Sequence, residues 1–373
     1  MVLSAVLVAP SAAASVSSRD LPAYAGLGTW LDIYAKKAWR DPERTVAAMA
    51  RDGARTLYLQ TGNYKQRLDL VRPRSLGRFL DAAHEAGLRV VAWYLPSFAS
   101  PRQDERRALA AIRFRSASGE GFDAFALDIE ATVVRRMQLR NRRLLQLSAR
   151  LRSAVGPGYA LGAITPSPVG MAPSYWPGIP YRALTRFYDV FLPMAYSTMK
   201  GVRGSKATHA YLAATTAAIR TRSGRPSLAI HLIGGLSGTM GANETAGFMR
   251  AVAECAPLGY SIYAFPTTHR AAWRVLTAPP RAHPARLSLH LSTGALGRRP
   301  AGERTARSAC QLLVRNRRWR LRRNESRQTR DDASDCRSTW TRRLPRRLLG
   351  GRGVPRGPVR VARRACASQD SCR

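Results

Sequence analysis

The 373-residue chain is poor in acidic residues and has no long apolar run. Its 23 Asp and Glu are outnumbered by 61 Lys and Arg, which gives a formal net charge of +38. No apolar run approaches the roughly 18 residues of a membrane-spanning helix, so no membrane span is predicted. The hydrophobic fraction of 45% is typical of a globular protein.

Motifs of several common enzyme classes are also missing. The chain contains no GxSxG nucleophile elbow, no HExxH pair and no GxxxxGK[ST] phosphate loop. Four of the five Cys lie after residue 280, and the remaining one, Cys255, ends a predicted helix without a His or Cys at metal-ligand spacing. The sequence therefore indicates neither a metal nor a cofactor.

The N-terminus resembles an export segment. It reads MVLSAVLVAPSAAASVSS, a short apolar run followed by small residues, with Ala12-x-Ala14 as a signal-peptidase site. The basic residues that usually open a signal peptide are absent, so a plain small-residue N-terminus is the alternative. Residues 1–20 are predicted to be a signal or export segment, which would make the protein secreted or cell-wall associated.

Residues 281–373 differ from the rest of the chain. They hold 25 Arg, no Lys and only six Asp or Glu, and they show no sustained helix or strand period. Low hydrophobicity and high charge predict a disordered Arg-rich tail, and a shifted reading frame in a GC-rich gene would give the same composition. A basic arm for an anionic cell-wall polymer and a small disulfide-linked unit are the other interpretations. Only composition would support nucleic-acid binding, so nucleic acid is not an expected partner.

Between these ends the chain alternates short apolar runs with amphipathic ones. Near-continuous apolar runs are typical of parallel strands covered on both faces. Eight β–α alternations predict an α/β fold, a (β/α)8 TIM barrel, in residues 21–280. An open doubly wound sheet is the alternative, but no Gly-rich phosphate loop follows the first strand. The predicted strands cover residues 28–34, 55–61, 88–95, 122–130, 159–165, 189–196, 227–233 and 260–265.

Polar residues end several of these strands. They are Asp32 on the first, Gln60 on the second, Asp128 and Glu130 on the fourth, and Tyr196 on the sixth. Because active sites of such barrels lie at the C-terminal ends of the strands, we expect these side chains to meet at the barrel mouth.

Asp128 and Glu130 are the most informative of these residues. Strand side chains alternate faces, so both acids point to the barrel side, about 7 Å apart along the strand. Two carboxyl groups crowded in a low-dielectric site split their pKa values, so one stays ionised while the other holds its proton. The pair is therefore a candidate for general acid catalysis. Pairing of both acids with Arg in a structural network is the alternative.

The stretch DAFALDIE, residues 123 to 130, resembles the DxxDxDxE motif of family 18 glycoside hydrolases, the chitinase group. Three of the four acids match, and Ala126 stands in place of the middle one. The resemblance implies that Glu130 protonates the glycosidic oxygen, that Asp128 orients the N-acetyl group of the substrate as internal nucleophile, and that Asp123 is structural.

Two further positions bear on this resemblance. FLPMAYS on the sixth strand is similar to the family's MxYD, with Tyr196 matching and Ser197 in place of the Asp. The Trp expected at the end of the eighth strand is absent, and Phe265 is the aromatic residue we assign there. Family 25, the lysozyme type of barrel, is the near alternative, since it has an Asp on strand 1 and a DxE on strand 4, as Asp32 and the strand 4 pair do here.

These resemblances imply a polysaccharide substrate, either peptidoglycan or chitin, cleaved by acid/base catalysis. A catalytically inactive barrel that binds carbohydrate is the alternative, because Ala126 replaces an acid of the motif. Trp176, in the Pro-rich loop after strand 5, could stack on a sugar ring. His231, in the middle of strand 7, is interpreted as a core histidine and Asp123 as a cap or salt-bridge residue. The predicted substrate-binding residues are Asp32, Gln60, Tyr94, Trp176 and Tyr196.

A chain that ends at Pro280 should express, melt cooperatively and keep the Tm of the full-length protein. The reason is that the composition changes only after the eighth predicted strand is complete. Thermal unfolding of both chains, followed by circular dichroism, makes the comparison. Loss of the cooperative transition on truncation would show that residues 281–373 pack on the barrel.

Overall fold

The computed structural model describes residues 21–278, which form a closed barrel of eight parallel strands. Strands adjacent in sequence pair with each other, and the eighth pairs with the first to close the ring. The predicted (β/α)8 barrel is therefore confirmed, whereas the predicted export segment and tail lie outside the described residues. The strands are β1 (Gly26–Leu31), β2 (Thr56–Asn63), β3 (Arg89–Leu95), β4 (Ala124–Asp128), β5 (Leu161–Pro166), β6 (Val190–Met194), β7 (Ala229–Leu236) and β8 (Gly259–Tyr263).

Helices follow the strands around the outside of the barrel. The helix after β4 begins only at Met137, because the β-branched run at 132–134 loses side-chain freedom in a helix. No helix within residues 21–278 has the length and hydrophobicity to cross a membrane. The helices are α1 (Lys36–Arg40), α2 (Pro42–Arg51), α3 (Pro73–Glu85), α4 (Pro101–Arg113), α5 (Met137–Val155), α6 (Tyr181–Leu184), α7 (Ser205–Ser223), α8 (Ala242–Cys255) and α9 (Arg270–Thr277).

Alternation along the strands divides the hydrophobic core into two layers. The inner layer fills the barrel and includes Trp30, Trp93 and Ala126. The outer layer lies between the strands and the helices and includes Phe125 and Leu127. Each β4 residue therefore lies on the face that the period of two predicts.

A short 3-10 helix, Pro22–Tyr24, covers the end of the barrel where the strands begin. The side chain of Tyr24 is fully buried, and its hydroxyl donates to the carbonyl of Phe125 at 2.8 Å. Tyr24 belongs to the inner layer, so the segment before β1 forms the lower boundary of the barrel interior.

His231 on β7 belongs to a buried polar network above this segment. Its Nδ1 lies 2.9 Å from the carbonyl of Tyr24, and a carbonyl can only accept, so Nδ1 carries the proton. Its Nε2 then accepts from the hydroxyl of Ser261 at 2.9 Å, and that hydroxyl oxygen accepts from the indole of Trp30 at 2.8 Å. Burial lowers the pKa of His231 to about 4, so the ring is neutral. The prediction of a core histidine is confirmed.

Asp123 lies at the beginning of β4, at the end of the barrel opposite the two candidate acids. Its carboxylate accepts from the backbone N–H of Val90 at 2.7 Å and lies 3.0 Å from the guanidinium of Arg89 and 2.9 Å from Nε2 of His84. The prediction that Asp123 is a salt-bridge residue is confirmed. It joins the start of β4 to β3 and α3.

Acidification should destabilise the barrel through His231. Its folded-state pKa of about 4 lies below the ordinary value of 6.5. Between these pH values only the unfolded chain binds the proton. The stability that neutral His231 contributes is complete above pH 6.5 and falls by about 1.4 kcal/mol per pH unit towards pH 4. Urea unfolding across this range measures the slope. In His231→Gln the slope of stability against pH should be smaller by about 1.4 kcal/mol per pH unit, the effect of one proton. An unchanged slope would contradict the lowered pKa of His231.

Candidate active site

The candidate site is built on the end of β4. Asp128 is the last residue of that strand, and Glu130 follows at the start of the loop. Ala124 and Ala126, at the preceding alternate positions, belong to the inner layer, so the two acids continue the inner face up to the barrel mouth. Asp128 is only 5% exposed, and Glu130 is partly buried.

Burial dominates the electrostatics of this pair. It raises the pKa of both carboxyl groups, and the charge of Glu130 raises the pKa of Asp128 further. Two such carboxyl groups do not both ionise readily, so the pair loses its protons in two separate steps. Within residues 21–278, the buried Oδ1 of Asp128 has no hydrogen-bond partner. Because a buried carboxyl oxygen without a partner is costly, a ligand N–H or O–H at this atom would be stabilising.

Two tyrosines from neighbouring loops surround the acids. Tyr175, in the loop after β5, donates its hydroxyl to the backbone carbonyl of Glu130 at 2.8 Å. Tyr196 follows β6, and its pKa is raised by burial and then by the charges of Glu130 and Asp128. The structure thus brings Tyr196 to the acids, as expected from its place at the end of a strand, and its contact with substrate stays a prediction.

Asp32 reaches the site through a third tyrosine. Its Oδ2 accepts the hydroxyl of Tyr263, the last residue of β8, at 2.6 Å. Its Oδ1 accepts from the backbone N–H groups of Tyr34 and Ala35 at 2.8 and 3.0 Å. The ring of Tyr263 lies 6.3 Å from that of Tyr196. Asp32 therefore fixes one aromatic side of the mouth and is separated from the acid pair by two rings.

Aromatic rings form the floor beneath the acids. The indole of Trp30 stacks on Tyr58, with centroids 4.2 Å apart and planes 11° apart, and meets Trp93 edge-on at 5.9 Å. Gly28 permits this packing, because a Cβ there would lie 2.5 Å from the ring of Tyr58. This low-dielectric floor strengthens every charge interaction at the mouth.

Gln60 and Tyr94 are buried and hydrogen-bonded within the barrel wall rather than presented at the mouth. Gln60 is 2% exposed, and its Oε1 accepts the backbone N–H of Ile33 at 3.0 Å, which joins β2 to the residues after β1. Tyr94 belongs to the outer layer, where its hydroxyl donates to Asp104 at 2.8 Å. The strand alternation that brings Trp93 into the barrel turns Tyr94 outwards. Both residues support the strand ends.

Trp176 is buried rather than presented to solvent, so the structure contradicts its predicted role as a sugar platform. Its side chain is 0% exposed. The indole donates to Asn141 at 2.7 Å, packs edge-on against Phe98 at 5.6 Å, and lies under the guanidinium of Arg140 at 4.1 Å. Trp176 anchors the loop after β5 on α5, and its neighbour Tyr175 is the residue that reaches the site.

Sequence reasoning missed Trp30, Trp93, Tyr175 and Tyr263. Period-two alternation could have found three of them: Trp30 lies two residues before Asp32, Trp93 lies on the inner face of β3, and Tyr263 lies on the inner face of β8. Phe265, which the sequence analysis took as the aromatic residue at the end of that strand, instead packs on Trp273 in the outer layer. No periodicity marks Tyr175, because it lies in a loop.

The site is suited to proton transfer. It combines two carboxyl groups with raised pKa values, an unpaired acceptor oxygen on Asp128 and aromatic walls that can face the apolar side of a ring. Within residues 21–278, no three His, Cys, Asp or Glu side chains come together as a metal site would require. Acid catalysis by the two carboxyl groups is the chemistry that these residues can supply.

Comparison with known proteins finds similarity only among solved structures. No protein-family model matches the chain, and no curated protein matches it. At identities of 12–13% and TM-scores below 0.5, the structural likenesses define neither a reaction nor a substrate. One is the endo-β-1,4-mannanase of Thermotoga petrophila, with 12% identity over 65% of this chain and 68% of that chain and a TM-score of 0.49. A second is the spore cortex-lytic enzyme SleL of Bacillus cereus, with 12% identity over 68% of this chain and 73% of that chain and a TM-score of 0.49. A third is a chitinase of Chromobacterium violaceum, with 13% identity over 68% of this chain and 98% of that chain and a TM-score of 0.48.

Trp176→Ala should lower the free energy of unfolding by about 3–5 kcal/mol, because it leaves a cavity where a fully buried indole packed. Urea unfolding measures the loss, and Tyr175→Phe, which removes one hydroxyl from the same loop, should lose much less. A Trp176→Ala protein with unchanged stability but weakened glycan binding would support a sugar platform instead.

Proposed function

We propose that the protein is a secreted glycoside hydrolase that cleaves an N-acetylated β-glycan of the peptidoglycan or chitin type. The observation that carries the proposal is the buried carboxyl pair at the end of β4, with raised pKa values and an unpaired oxygen on Asp128. The aromatic walls at Tyr196 and Tyr263 fit a sugar ring. Export rests on the sequence of residues 1–20.

The two acids differ in depth, and their roles follow from that difference and from the family 18 resemblance of DAFALDIE. Glu130, which is partly exposed, donates its proton to the glycosidic oxygen as the bond from that oxygen to the anomeric carbon breaks. Asp128, the deeper acid, accepts the N–H of the substrate's acetamido group through its unpaired oxygen. The acetamido oxygen attacks the anomeric carbon as the glycosidic bond breaks, and the leaving sugar carries away the proton from Glu130. A water molecule later opens the resulting ring at the anomeric carbon and gives a proton back to Glu130.

A carbohydrate-binding barrel without hydrolysis is the second candidate. Two positions favour it: Ala126 is fully buried in the apolar inner layer where the motif has an acid, and Ser197, also fully buried, stands in place of the Asp after the strand 6 tyrosine. Of the inner-face residues of β4, Asp128 and Glu130 remain as the only titrating pair. Hydrolysis assays with labelled peptidoglycan and chitin oligomers separate the two candidates.

Glu130→Gln should lower turnover by about 10²–10⁴-fold, because the amide keeps the shape of the side chain but cannot protonate the leaving group. Glycan binding should persist. Single-turnover hydrolysis and binding of the same oligomer test both points. A folded Glu130→Gln protein that binds glycan and hydrolyses it at the wild-type rate would exclude Glu130 as the acid. If the wild-type protein binds but hydrolyses none of these glycans, the second candidate takes its place.

Asp128→Asn should also lower the rate and should move the basic limb of the pH profile to lower pH. The last proton of the coupled pair leaves against the negative charge of the other carboxylate. The amide removes that charge, so the remaining proton is lost earlier as the pH rises. The double variant should lose little more than the more impaired single variant, since the two residues act together. An unchanged basic limb in Asp128→Asn would show that the two carboxyl groups are not coupled.

A further inference from the structure

The loops at the two ends of the barrel differ in charge. Between the strand ends and the next α-helices, the mouth loops hold seven Lys or Arg and three Asp or Glu, whereas the loops that lead into the strands hold four of each. Of the three mouth acids, Asp32 and Glu130 belong to the candidate site, and Asp69 is paired with Arg106 at 2.7 Å. The mouth rim is therefore positive. Its seven cations are Lys65, Arg67, Arg72, Arg135, Arg136, Lys200 and Arg203.

Three rim cations are available to a ligand. The side chains of Arg67, Arg135 and Arg136 are exposed, and among the described residues none of the three forms an ion pair with a carboxylate. Elsewhere on the barrel some exposed arginines are paired, as Arg78 and Arg150 are with Glu43 and Glu105, whereas others, such as Arg225, are not paired within residues 21–278. Arg67, Arg135 and Arg136 therefore differ from Arg72 and Arg203, which donate to backbone carbonyls of Ile33 and Thr239.

Exposed apolar side chains lie on the same rim. Large hydrophobic residues that are 36–67% exposed occur in the mouth loops or at the first residue of the helix that follows: Tyr34, Leu68, Val133, Met137 and Met199. They alternate with the cations along the chain, since Leu68 follows Arg67 directly and Val133 and Met137 flank the two arginines of the β4 loop. The rim therefore offers apolar contacts and positive charge side by side.

We infer that this rim binds an acidic glycan, a chain of sugar rings that carry carboxylate or phosphate groups. Sugar rings present apolar C–H faces, which suit the exposed side chains of the rim, and their anionic groups suit the unpaired arginines. The inference rests on the proposed function, because the carboxyl pair of Asp128 and Glu130 is what places a glycan across the mouth. It narrows the substrate from any N-acetylated glycan to one with negative charges on units beside the cleaved bond.

The test compares two triple variants of the full-length chain. Arg67→Ala/Arg135→Ala/Arg136→Ala removes three charges from the rim. Arg113→Ala/Arg186→Ala/Arg225→Ala removes three exposed charges near the opposite end and is the matched control. Residues 281–373 are the same in both, so any contribution of their arginines cancels. The probes are an oligomer of alternating N-acetylglucosamine and glucuronic acid and a neutral N-acetylglucosamine oligomer of equal length.

The wild-type chain should bind the acidic oligomer at least tenfold more tightly than the neutral one at about 0.05 M salt, and the preference should shrink at about 0.5 M salt, where exposed charges are screened. The rim variant should lose about tenfold in affinity for the acidic oligomer, the combined size of three exposed charge contacts. The control variant should lose no more than twofold, and neither variant should change binding of the neutral oligomer.

Equal losses in the two variants, no preference for the acidic oligomer, or no binding at all would overturn the inference. Tighter binding of duplex DNA or of phosphatidylglycerol vesicles than of the acidic oligomer, lost in the rim variant, would assign the rim to another class of partner and overturn it too. Failure of the proposed function would give a different result. The wild-type chain would still bind the acidic oligomer more tightly than the neutral one, and the rim variant would still lose this preference, but neither wild type nor Glu130→Gln would hydrolyse either oligomer.

Discussion

The burial of two carboxyl groups, those of Asp128 and Glu130, is the constraint around which the rest of this barrel is arranged. Burial makes ionisation costly for both groups, and an aromatic floor led by Trp30 excludes the solvent that would reduce that cost. The nearest tyrosine hydroxyl with a defined partner, that of Tyr175, donates to the backbone of Glu130 and not to a carboxyl oxygen. Asp128 thus keeps both a raised pKa and an oxygen without a partner, the two properties on which the proposed catalysis depends.

The carboxyl groups keep their raised pKa values only if the surrounding side chains do not move to form hydrogen bonds with them. Two side chains at the strand ends hold the mouth in shape: Gln60 joins β2 to the residues after β1, and Asp32 accepts a hydrogen bond from Tyr263. Below them, the network from Trp30 through Ser261 to His231 ties β1, β7 and β8 together. Residues locked by such supporting hydrogen bonds keep a catalytic geometry preorganised. The side chains that form these supporting hydrogen bonds are therefore as much a part of the barrel mouth as the two acids.

The sequence predicted most of the fold because strands covered on both faces leave a strong signal, a short apolar run bounded by loops. Alternation then placed Asp128 on the inner face and Leu127 on the outer one. The same rule explains where reasoning failed. Tyr94 was predicted to bind substrate, but its neighbour Trp93 occupies the inner face of β3, so Tyr94 points outwards. Trp176 lies in a loop without any period, where burial depends on contacts with α5 that no local pattern encodes.

Ala126 stands in place of the motif's middle acid, but this replacement does not remove the causes that raise the pKa of Asp128. The pKa of Asp128 is raised first by burial and then by Glu130, and neither cause involves position 126. Ala126 instead makes the inner face below Asp128 apolar, next to Trp93 in the neighbouring strand. The next inner-face residue below Asp128 on β4 therefore offers no proton acceptor. Along the inner face of β4, Asp128 and Glu130 are each other's only titrating neighbours, so the proposed acid catalysis depends on this pair and on no third acid of the strand.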